Sequence, residues 1–313
     1  MIAPNSLRPK IWQLRIDQTT RKSNVFQRVS SSVAILARDC ETIRRKPMLA
    51  LKVIVNCGPC EPFIRDCLQS LTAQTYRHWK AFVTVDPAGD RTYERALEVA
   101  ADDHRISVLQ NPTRQFSMHN LVEAIRRSHA GADDVIVCLD GDDWFATDKA
   151  LAVIAATYTR FDCWLTYGSF VTDRPDRNGR FGGRWPAYPP GTTAFRHTRW
   201  LGTAVRSWKK WLWDLVDDRD LRDDEGHYFR VTEDQAVMLP MLEMTGTDRA
   251  QHIPVPLAVY NRSNPYNSGK WMLDEMARNG DILMRRTPYQ RLPARPSTTR
   301  DPRPSPFSTG AES

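Results

Sequence analysis

The fold of this chain is most clearly indicated by residues 135–144, whose sequence is VIVCLDGDDW. The five apolar residues at its start, three of them β-branched, are typical of a strand that is buried on both faces. Three carboxylates follow at Asp140, Asp142 and Asp143, and like charges this close repel one another. A divalent cation such as Mg²⁺ or Mn²⁺ would hold them together and bridge them to a diphosphate. An acidic turn that caps the next helix is the alternative that this segment alone leaves open.

Strands and helices alternate on both sides of this segment. Apolar runs predict strands at 49–56, 79–85, 106–110 and 135–139, and helical periodicity predicts helices at 63–76, 93–101, 118–129 and 148–161. This alternation predicts right-handed crossovers and an α/β fold with a mostly parallel sheet flanked by helices. Ligands bind beyond the carboxyl ends of such strands, so we expect residues 56–60, 86–90 and 140–143 to meet at one edge.

The alternation weakens after residue 161. The sequence still predicts strands at 164–171 and 256–260, a long loop at 173–191, and helices at 202–216 and 233–245.

The basic character of the chain belongs to its two ends. The net charge is +7, of which residues 1–48 carry +7 and residues 285–313 carry +4, so the middle of the chain is acidic. We expect a basic, poorly ordered N-terminal segment at 1–48, and a C-terminal helix with a Pro- and Arg-rich tail at 271–313. Solvated, disordered tails are favoured over peripheral contact with anionic surfaces. A basic nucleic-acid-binding face on the folded part is not supported.

The cysteines and the apolar runs indicate the compartment. No secretion signal is found, and no apolar run approaches the ~18 residues of a membrane span, so we expect no transmembrane segment, a cytoplasmic location and free thiols. The sequence CGPC at 57–60 follows a strand, which is also the local context of thioredoxin-like oxidoreductases. A tight turn with two incidental thiols, Cys57 and Cys60, is favoured over that redox role.

Four short elements occur in an order that resembles one enzyme family. They are SLTAQTY at 70–76, SMHN at 117–120, TEDQ at 232–235, and VYN at 259–261 with Asn264 and Pro265 after it. Together with Asp86 and the acidic segment, they resemble the family 2 glycosyltransferases of the GT-A fold. The resemblance implies a GT-A-like nucleotide-diphospho-sugar transferase, an enzyme that moves a sugar from a nucleotide diphosphate donor to a hydroxyl acceptor.

The resemblance also implies roles for individual residues. Asp86 would accept a hydrogen bond from the base of the donor, and Asp140 would hold the ribose or take part in the metal site. Asp142 would coordinate Mg²⁺ or Mn²⁺ and thereby the diphosphate. Asp234 would take the proton from the acceptor hydroxyl in a direct, inverting attack, with Glu233 as the alternative base. Acidic residues at a helix start also favour the helix dipole, which is compatible with catalysis.

Three further residues complete the predicted site. Asn56 ends the first strand, and His119 stands where the family commonly has Arg; both are assigned to donor binding. His197, in FRHTRW at 195–200, resembles a stretch of some family members and would contact the diphosphate or the metal, with a structural role as the alternative. The aromatic residue usual after the first strand is missing, which leaves the identity of the nucleotide open.

The sequence thus predicts a metal-dependent, inverting glycosyltransferase with a domain at 49–270. Its donor half is expected at 49–145 and its acceptor half at 146–270. The acceptor stays open between a glycan, a lipid-linked saccharide, a protein and a modified nucleic acid. The alternatives are a nucleotidyltransferase with the same carboxylates and metal, a thiol–disulfide oxidoreductase using Cys57 and Cys60, and a nucleic-acid-binding protein acting through its basic ends.

Overall fold

The computed structural model describes residues 48–297. The predicted N-terminal segment at 1–48 and the last residues of the C-terminal tail therefore lie almost wholly outside the described residues. The strands are β1 (Leu51–Cys57), β2 (Trp79–Val85), β3 (Ile106–Gln110), β4 (Val135–Asp140), β5 (Trp144–Phe145), β6 (Leu165–Thr172), β7 (Gly182–Gly183), β8 (Ser207–Lys209) and β9 (Ala250–Tyr260). The α-helices are α1 (Ile64–Thr72), α2 (Thr92–Ala100), α3 (Phe116–Arg127), α4 (Ala150–Phe161), α5 (Lys210–Trp213), α6 (Glu233–Arg249), α7 (Ser268–Trp271) and α8 (Leu273–Arg285).

These strands form one mixed sheet in the order β3-β2-β1-β4-β8-β6-β9-β5, with β7 paired to β6. Strands β1 to β4 are mutually parallel, and Leu51 lies between Trp79 of β2 and Val135 of β4. The connections between them are the helices α1, α2 and α3. The parallel half of the α/β fold is thus confirmed with nearly the predicted strand bounds.

Helices cover both faces of the sheet, so the chain buries two apolar cores. Alternation along β1 places Val53 and Val55 in the core under α1, α2 and α4, and Ile54 in the core under α3 and α6. A strand that is buried on both faces must be apolar throughout, which explains the continuous run at its centre.

The second half of the chain departs from the prediction. The predicted helix at 202–216 is wrong for most of its length: the chain forms strand β8 and the short helix α5 there. Strand β8 lies antiparallel between β4 and β6, and it joins the two halves of the sheet. The last strand, β9, is also longer than expected and pairs with both β6 and β5.

The predicted helix at 63–76 ends early, and the side chain of Gln74 forms hydrogen bonds with backbone groups around its end. Helix α1 stops at Thr72, and Gln74, which is fully buried, donates to the carbonyls of Ser70 (3.0 Å) and Thr147 (2.8 Å). Its carbonyl oxygen accepts from the amide of Leu151 (2.9 Å). The side-chain amide of Gln74 therefore connects the end of α1 to the start of α4, the helix that follows the acidic segment.

A buried ion pair anchors the stretch after the long loop. Arg196, in the short 3-10 turn Phe195–His197, contacts Glu243 of α6 through two parallel hydrogen bonds of 2.7 and 2.9 Å. Each side chain is only 2% exposed. A third nitrogen of Arg196 donates to the carbonyl of Leu283 in α8 (2.6 Å), so one guanidinium joins three elements.

No helix within residues 48–297 has both the length and the apolar character needed to cross a membrane.

Candidate active site

The carboxyl ends of β1, β2 and β4 meet at one edge of the sheet, as predicted. Asn56 of β1 lies opposite Asp140 of β4 in the ladder, and its carbonyl accepts from the amide of Gly141 (2.8 Å). The amide of Asp86, directly after β2, donates to the carbonyl of Cys57 (2.9 Å). The three segments that the strand pattern selected are therefore direct neighbours.

The three carboxylates of the acidic segment differ in their contacts. Asp143 fixes the backbone, and Asp140 and Asp142 remain available to a ligand. Asp143 is buried, and it accepts from the amide of Asn261 (2.7 Å), which fixes the end of β9 against the loop. Asp142 accepts from the side-chain amide of Asn264 (2.8 Å), a neutral donor. Burial, together with the charge of Asp140, raises the pKa of Asp142 to about 6. Burial also raises the pKa of Asp140.

These carboxylates fit a hard cation that takes its other ligands from a substrate. Within the described part of the chain, no three His, Cys, Asp or Glu side chains form a metal site by themselves. Asp140 and Asp142 supply two carboxylates, the number with which Mg²⁺ is usually held when phosphate oxygens and waters complete its shell. Burial is the main cause of their raised pKa values, and a bound cation would counter it by stabilising the charged carboxylates.

Gly141 is required by a close approach beneath this loop. A Cβ atom on Gly141 would lie 2.4 Å from Sγ of Cys57 and 3.1 Å from the carbonyl oxygen of Asn56. Any side chain at this position would push the acidic segment away from the end of β1. The glycine between Asp140 and Asp142 thus keeps both carboxylates at the edge of the sheet.

The TEDQ motif begins helix α6 and faces the acidic segment. Thr232, the residue before the helix, has a left-handed backbone with φ of 70°, a strained conformation for a β-branched residue. Glu233 accepts from the hydroxyl of Ser117 (3.0 Å), and burial, together with the charges of Asp234 and Asp140, raises its pKa to about 7. Asp234 lies with its Oδ2 atom 3.5 Å from a guanidinium nitrogen of Arg206.

Arg206 is a central residue that the sequence analysis missed. Its side chain, 13% exposed, lies just before β8 and faces both Asp234 and Asp140. Burial lowers the pKa of its guanidinium, but the charges of Asp234 and Asp140 outweigh this effect and raise it above its usual value. Arg206 therefore supplies the cation that partly balances these carboxylates.

A small cavity brings the predicted residues together. It is lined by Asn56, Asp140, Glu233 and Asp234 together with Arg206, and apolar side chains of α3, β8 and α6 close its remaining walls. Its volume of about 10 Å³ has room for roughly one water molecule. Asp140 and Asp234, which are 94 positions apart in the sequence, thus share one cavity.

Asp86 is at the predicted edge, but the protein already uses most of its bonding capacity. Its carboxylate is buried and accepts from the side-chain amide of Asn111 (2.8 Å) and from the backbone amides of Gln115 (3.0 Å) and Phe116 (2.8 Å). These bonds hold Phe116 in a left-handed conformation with φ of 64° and start α3. Its contact with a nucleotide base stays a prediction.

The three remaining candidates lie in different surroundings. Asn56 donates to the carbonyl of Ser117 (3.3 Å), and its buried Oδ1 atom has no hydrogen-bond partner among the described residues. His119 is half-buried in α3, and burial lowers its pKa. His197 is exposed on the 3-10 turn and is not among the described residues that line the cavity.

The thiols of the CGPC sequence lack the exposure, and Cys57 lacks the lowered pKa, that a redox reaction requires. Cys57 and Cys60 are 1% and 2% exposed. A hydrogen bond with Cys60, together with burial, raises the pKa of Cys57 well above its usual value. Reactive thiols require exposure and a lowered pKa, so the structure does not support a thiol–disulfide oxidoreductase.

Comparison with known proteins agrees with this architecture. No curated protein matches the chain. The structure is similar to the crystal structure of S. aureus TarS 1–349 in complex with UDP-GlcNAc, with 18% identity over 71% of this chain and 61% of that chain and a TM-score of 0.53. It is also similar to the mannosyltransferase PcManGT from Pyrobaculum calidifontis in complex with GDP-Man and Mn²⁺, with 15% identity over 85% of this chain and 76% of that chain and a TM-score of 0.54.

At these identities the similarity shows a common fold. The chain spans about 60% of the length of TarS 1–349. The model of the family described as glycosyl transferase family 2 matches residues 53–214, which is more than half of the 313 residues. The predicted GT-A-like fold and the resemblance to a glycosyltransferase family are confirmed, and the chain belongs to glycosyl transferase family 2.

Proposed function

We propose that this protein transfers a sugar from a nucleotide diphosphate donor to a hydroxyl acceptor, with inversion and with a divalent metal. The observation that carries the proposal is the shared cavity, in which Asp140 of the acidic segment faces Glu233 and Asp234 of the α6 start. Asp140, proposed for the diphosphate, and Glu233 and Asp234, proposed for the proton, therefore line one cavity, and Asp142 follows Asp140 two residues later.

The donor half would hold the nucleotide diphosphate. Asp142 and Asp140 would hold Mn²⁺ or Mg²⁺, and the ion would neutralise the charge that grows on the leaving diphosphate. Asp86, Asn56 and His119 would position the nucleoside. The neighbours bind UDP-GlcNAc and GDP-Man with Mn²⁺, which supports a donor of this class but does not choose its base or sugar.

The start of α6 would supply the base. Asp234 would accept the proton of the acceptor hydroxyl as its oxygen attacks the anomeric carbon from the face opposite the diphosphate, a contribution of about 10²–10⁴-fold in rate. Arg206 would hold Asp234 in place, since a guanidinium nitrogen lies 3.5 Å from its carboxylate. Glu233 is the alternative base.

The proposed donor and acceptor halves correspond to two parts of the sheet. Residues 49–145 would form the donor half and residues 146–270 the acceptor half, which contains α6 and Arg206. The C-terminal helix α8 would pack on this unit through the carbonyl of Leu283. A cytoplasmic location is part of the same proposal.

A thermal-shift experiment with UDP-GlcNAc and GDP-Man, each with and without Mn²⁺, tests the proposal. A ligand that binds the native state stabilises it by about 2.7 kcal/mol at a hundredfold excess over its dissociation constant. We expect a Mn²⁺-dependent shift that is lost in Asp142→Asn and kept in Asp148→Asn, whose carboxylate is exposed. No shift with either donor in the wild type, or an undiminished shift in Asp142→Asn, would contradict the proposal.

The product of turnover separates the proposed reaction from nucleotidyl transfer at the same carboxylates. Attack on the anomeric carbon releases a nucleoside diphosphate, whereas attack on phosphorus releases pyrophosphate. We expect nucleoside diphosphate.

A further inference from the structure

An open groove lies next to the start of α6. It is lined by Arg230, which precedes the α6 motif, and by residues of the consecutive helices α7 and α8. Its volume of about 540 Å³ lies within the range of about 300–1,000 Å³ that is typical of ligand pockets. The water-sized cavity cannot hold a sugar, so an acceptor must approach the α6 motif from a larger opening such as this one.

Both walls of the groove are tied to the proposed catalytic carboxylates. On one side, the hydroxyl of Ser117 contacts the carbonyl of Arg230 (3.2 Å) and also Glu233 (3.0 Å). On the other side, Lys270 donates to the carbonyl of Asn264 (2.8 Å), whose side chain donates to Asp142. Hydrogen bonds therefore connect the groove lining both to Glu233, proposed as the alternative base, and to Asp142, proposed for the metal.

An exposed aromatic ring lines the groove. The side chain of Trp271 is 75% exposed, and its neighbours Tyr266 and Leu273 are 64% and 61% exposed. The indole nitrogen of Trp271 donates to the carbonyl of Pro265 (2.7 Å), which holds the edge of the ring in place. Exposed apolar groups that are clustered in this way mark binding surfaces. The C–H face of a pyranose ring packs well against such a ring, because the face of an aromatic carries partial negative charge.

The charges of the groove favour a neutral, hydroxyl-rich ligand. Arg230 lies 3.7 Å from Glu275, and Lys270, Asp274 and Arg278 add both signs along the same lining. Hydroxyl groups donate and accept hydrogen bonds, so they match a lining that offers both kinds of partner. A polyanion such as a nucleic acid needs a surface of one sign, and Asp274 and Glu275 would repel it.

We propose that this groove is the acceptor site and that it takes a neutral saccharide, with one sugar ring packed on Trp271. The inference rests on the proposed glycosyl transfer and narrows its acceptor to the saccharide class. The sugar face on the indole would orient a hydroxyl toward the start of α6.

Saturation-transfer NMR on the full chain tests this site without turnover. The probes are methyl β-D-glucopyranoside, methyl α-D-mannopyranoside and cellobiose, each at millimolar concentration. We expect ring protons of at least one probe to receive saturation from the wild type, and the signal to fall at least fivefold in Trp271→Ala. Trp271→Phe, which keeps a flat ring, retains the signal. The matched control is Phe161→Ala, at the end of α4, where a 48%-exposed aromatic lies outside the groove lining.

The outcomes separate this inference from the proposed function. Three results would overturn the acceptor site. The first is the absence of a signal from every probe, and the second is an equal signal in Trp271→Ala and the wild type. The third is that no neutral probe binds while heparin binds and loses that binding in Trp271→Ala. The Mn²⁺-dependent donor shift is measured on the wild type and on Phe161→Ala. Its presence without saccharide binding refutes only the acceptor site, and its absence refutes the proposed function.

Discussion

Replacement of Arg196 by Met should strongly destabilise the protein. The methionine fills much of the same space, but it leaves the carboxylate of Glu243 buried at 2% exposure with one remaining donor, the backbone amide of Tyr289 (3.0 Å). The carbonyl of Leu283 also loses its 2.6 Å donor. Removing one partner of a buried pair costs about 3–5 kcal/mol, because the other charge stays buried without compensation.

Urea and thermal unfolding of the wild type and three variants measure this cost. For a chain of this size, 3–5 kcal/mol corresponds to a fall of roughly 6–20 °C in Tm. Arg196→Met with Glu243→Met should recover most of the loss, because two apolar side chains can replace a buried ion pair at little cost. His197→Ala, at the exposed neighbouring position, should stay within about 0.5 kcal/mol of the wild type. The reasoning is refuted if Arg196→Met costs less than about 1 kcal/mol, or if the double variant is no more stable than the single one.

Three further changes probe the site itself. Gly141→Ala should cost about 1–3 kcal/mol in thermal unfolding, because its Cβ atom would lie 2.4 Å from Sγ of Cys57, and Cys57→Ala should return part of that loss. Glu233→Gln should match the wild type near pH 4 and exceed its stability by about 2 kcal/mol near pH 8. The reason is that the folded pKa of about 7 lies above the ordinary 4.5, so the wild type loses stability as pH rises between these values; a pH-independent difference would contradict it. Thr232→Gly should raise the free energy of unfolding by about 1 kcal/mol, since glycine accepts a φ of 70° without strain. An unchanged free energy of unfolding would contradict backbone strain at Thr232.

The parallel half of the sheet was predictable because its signals are local. Each of its strands is a mostly apolar run with a polar residue at its end or directly after it, and right-handed connection then places Asn56, Asp86 and Asp140 at one edge without further information. The sequence shows a glycine between Asp140 and Asp142, but not its reason, which is the close approach of Cys57.

In the other half, the strand at 164–171 and the helix at 233–245 were predicted correctly, but the segment 202–216 was mispredicted because its contacts are distant in sequence. Strand β8 has three residues, too few for a period-two pattern, and its pairing with β4 and β6 determines its conformation. Arg206 reaches the cavity only through that pairing. One signal was present: in 201–208 Arg206 is the one charge among apolar and small residues, and a cation buried there must find a carboxylate elsewhere.

The electrostatic balance of the site explains why these carboxylates can coexist and why they favour a ligand. Asp142 and Asp143 are held by Asn264 and by the backbone of Asn261, donors that fix geometry without adding positive charge. Arg206 is the one basic residue among the described residues that line the cavity, and it faces Asp140, Asp234 and Glu233. The lining of the cavity therefore has more acidic than basic side chains, and burial together with neighbouring carboxylates raises the pKa values of Asp142 and Glu233. A cation entering with a diphosphate would offset this effect at the acidic segment, where the donors to Asp142 and Asp143 are neutral.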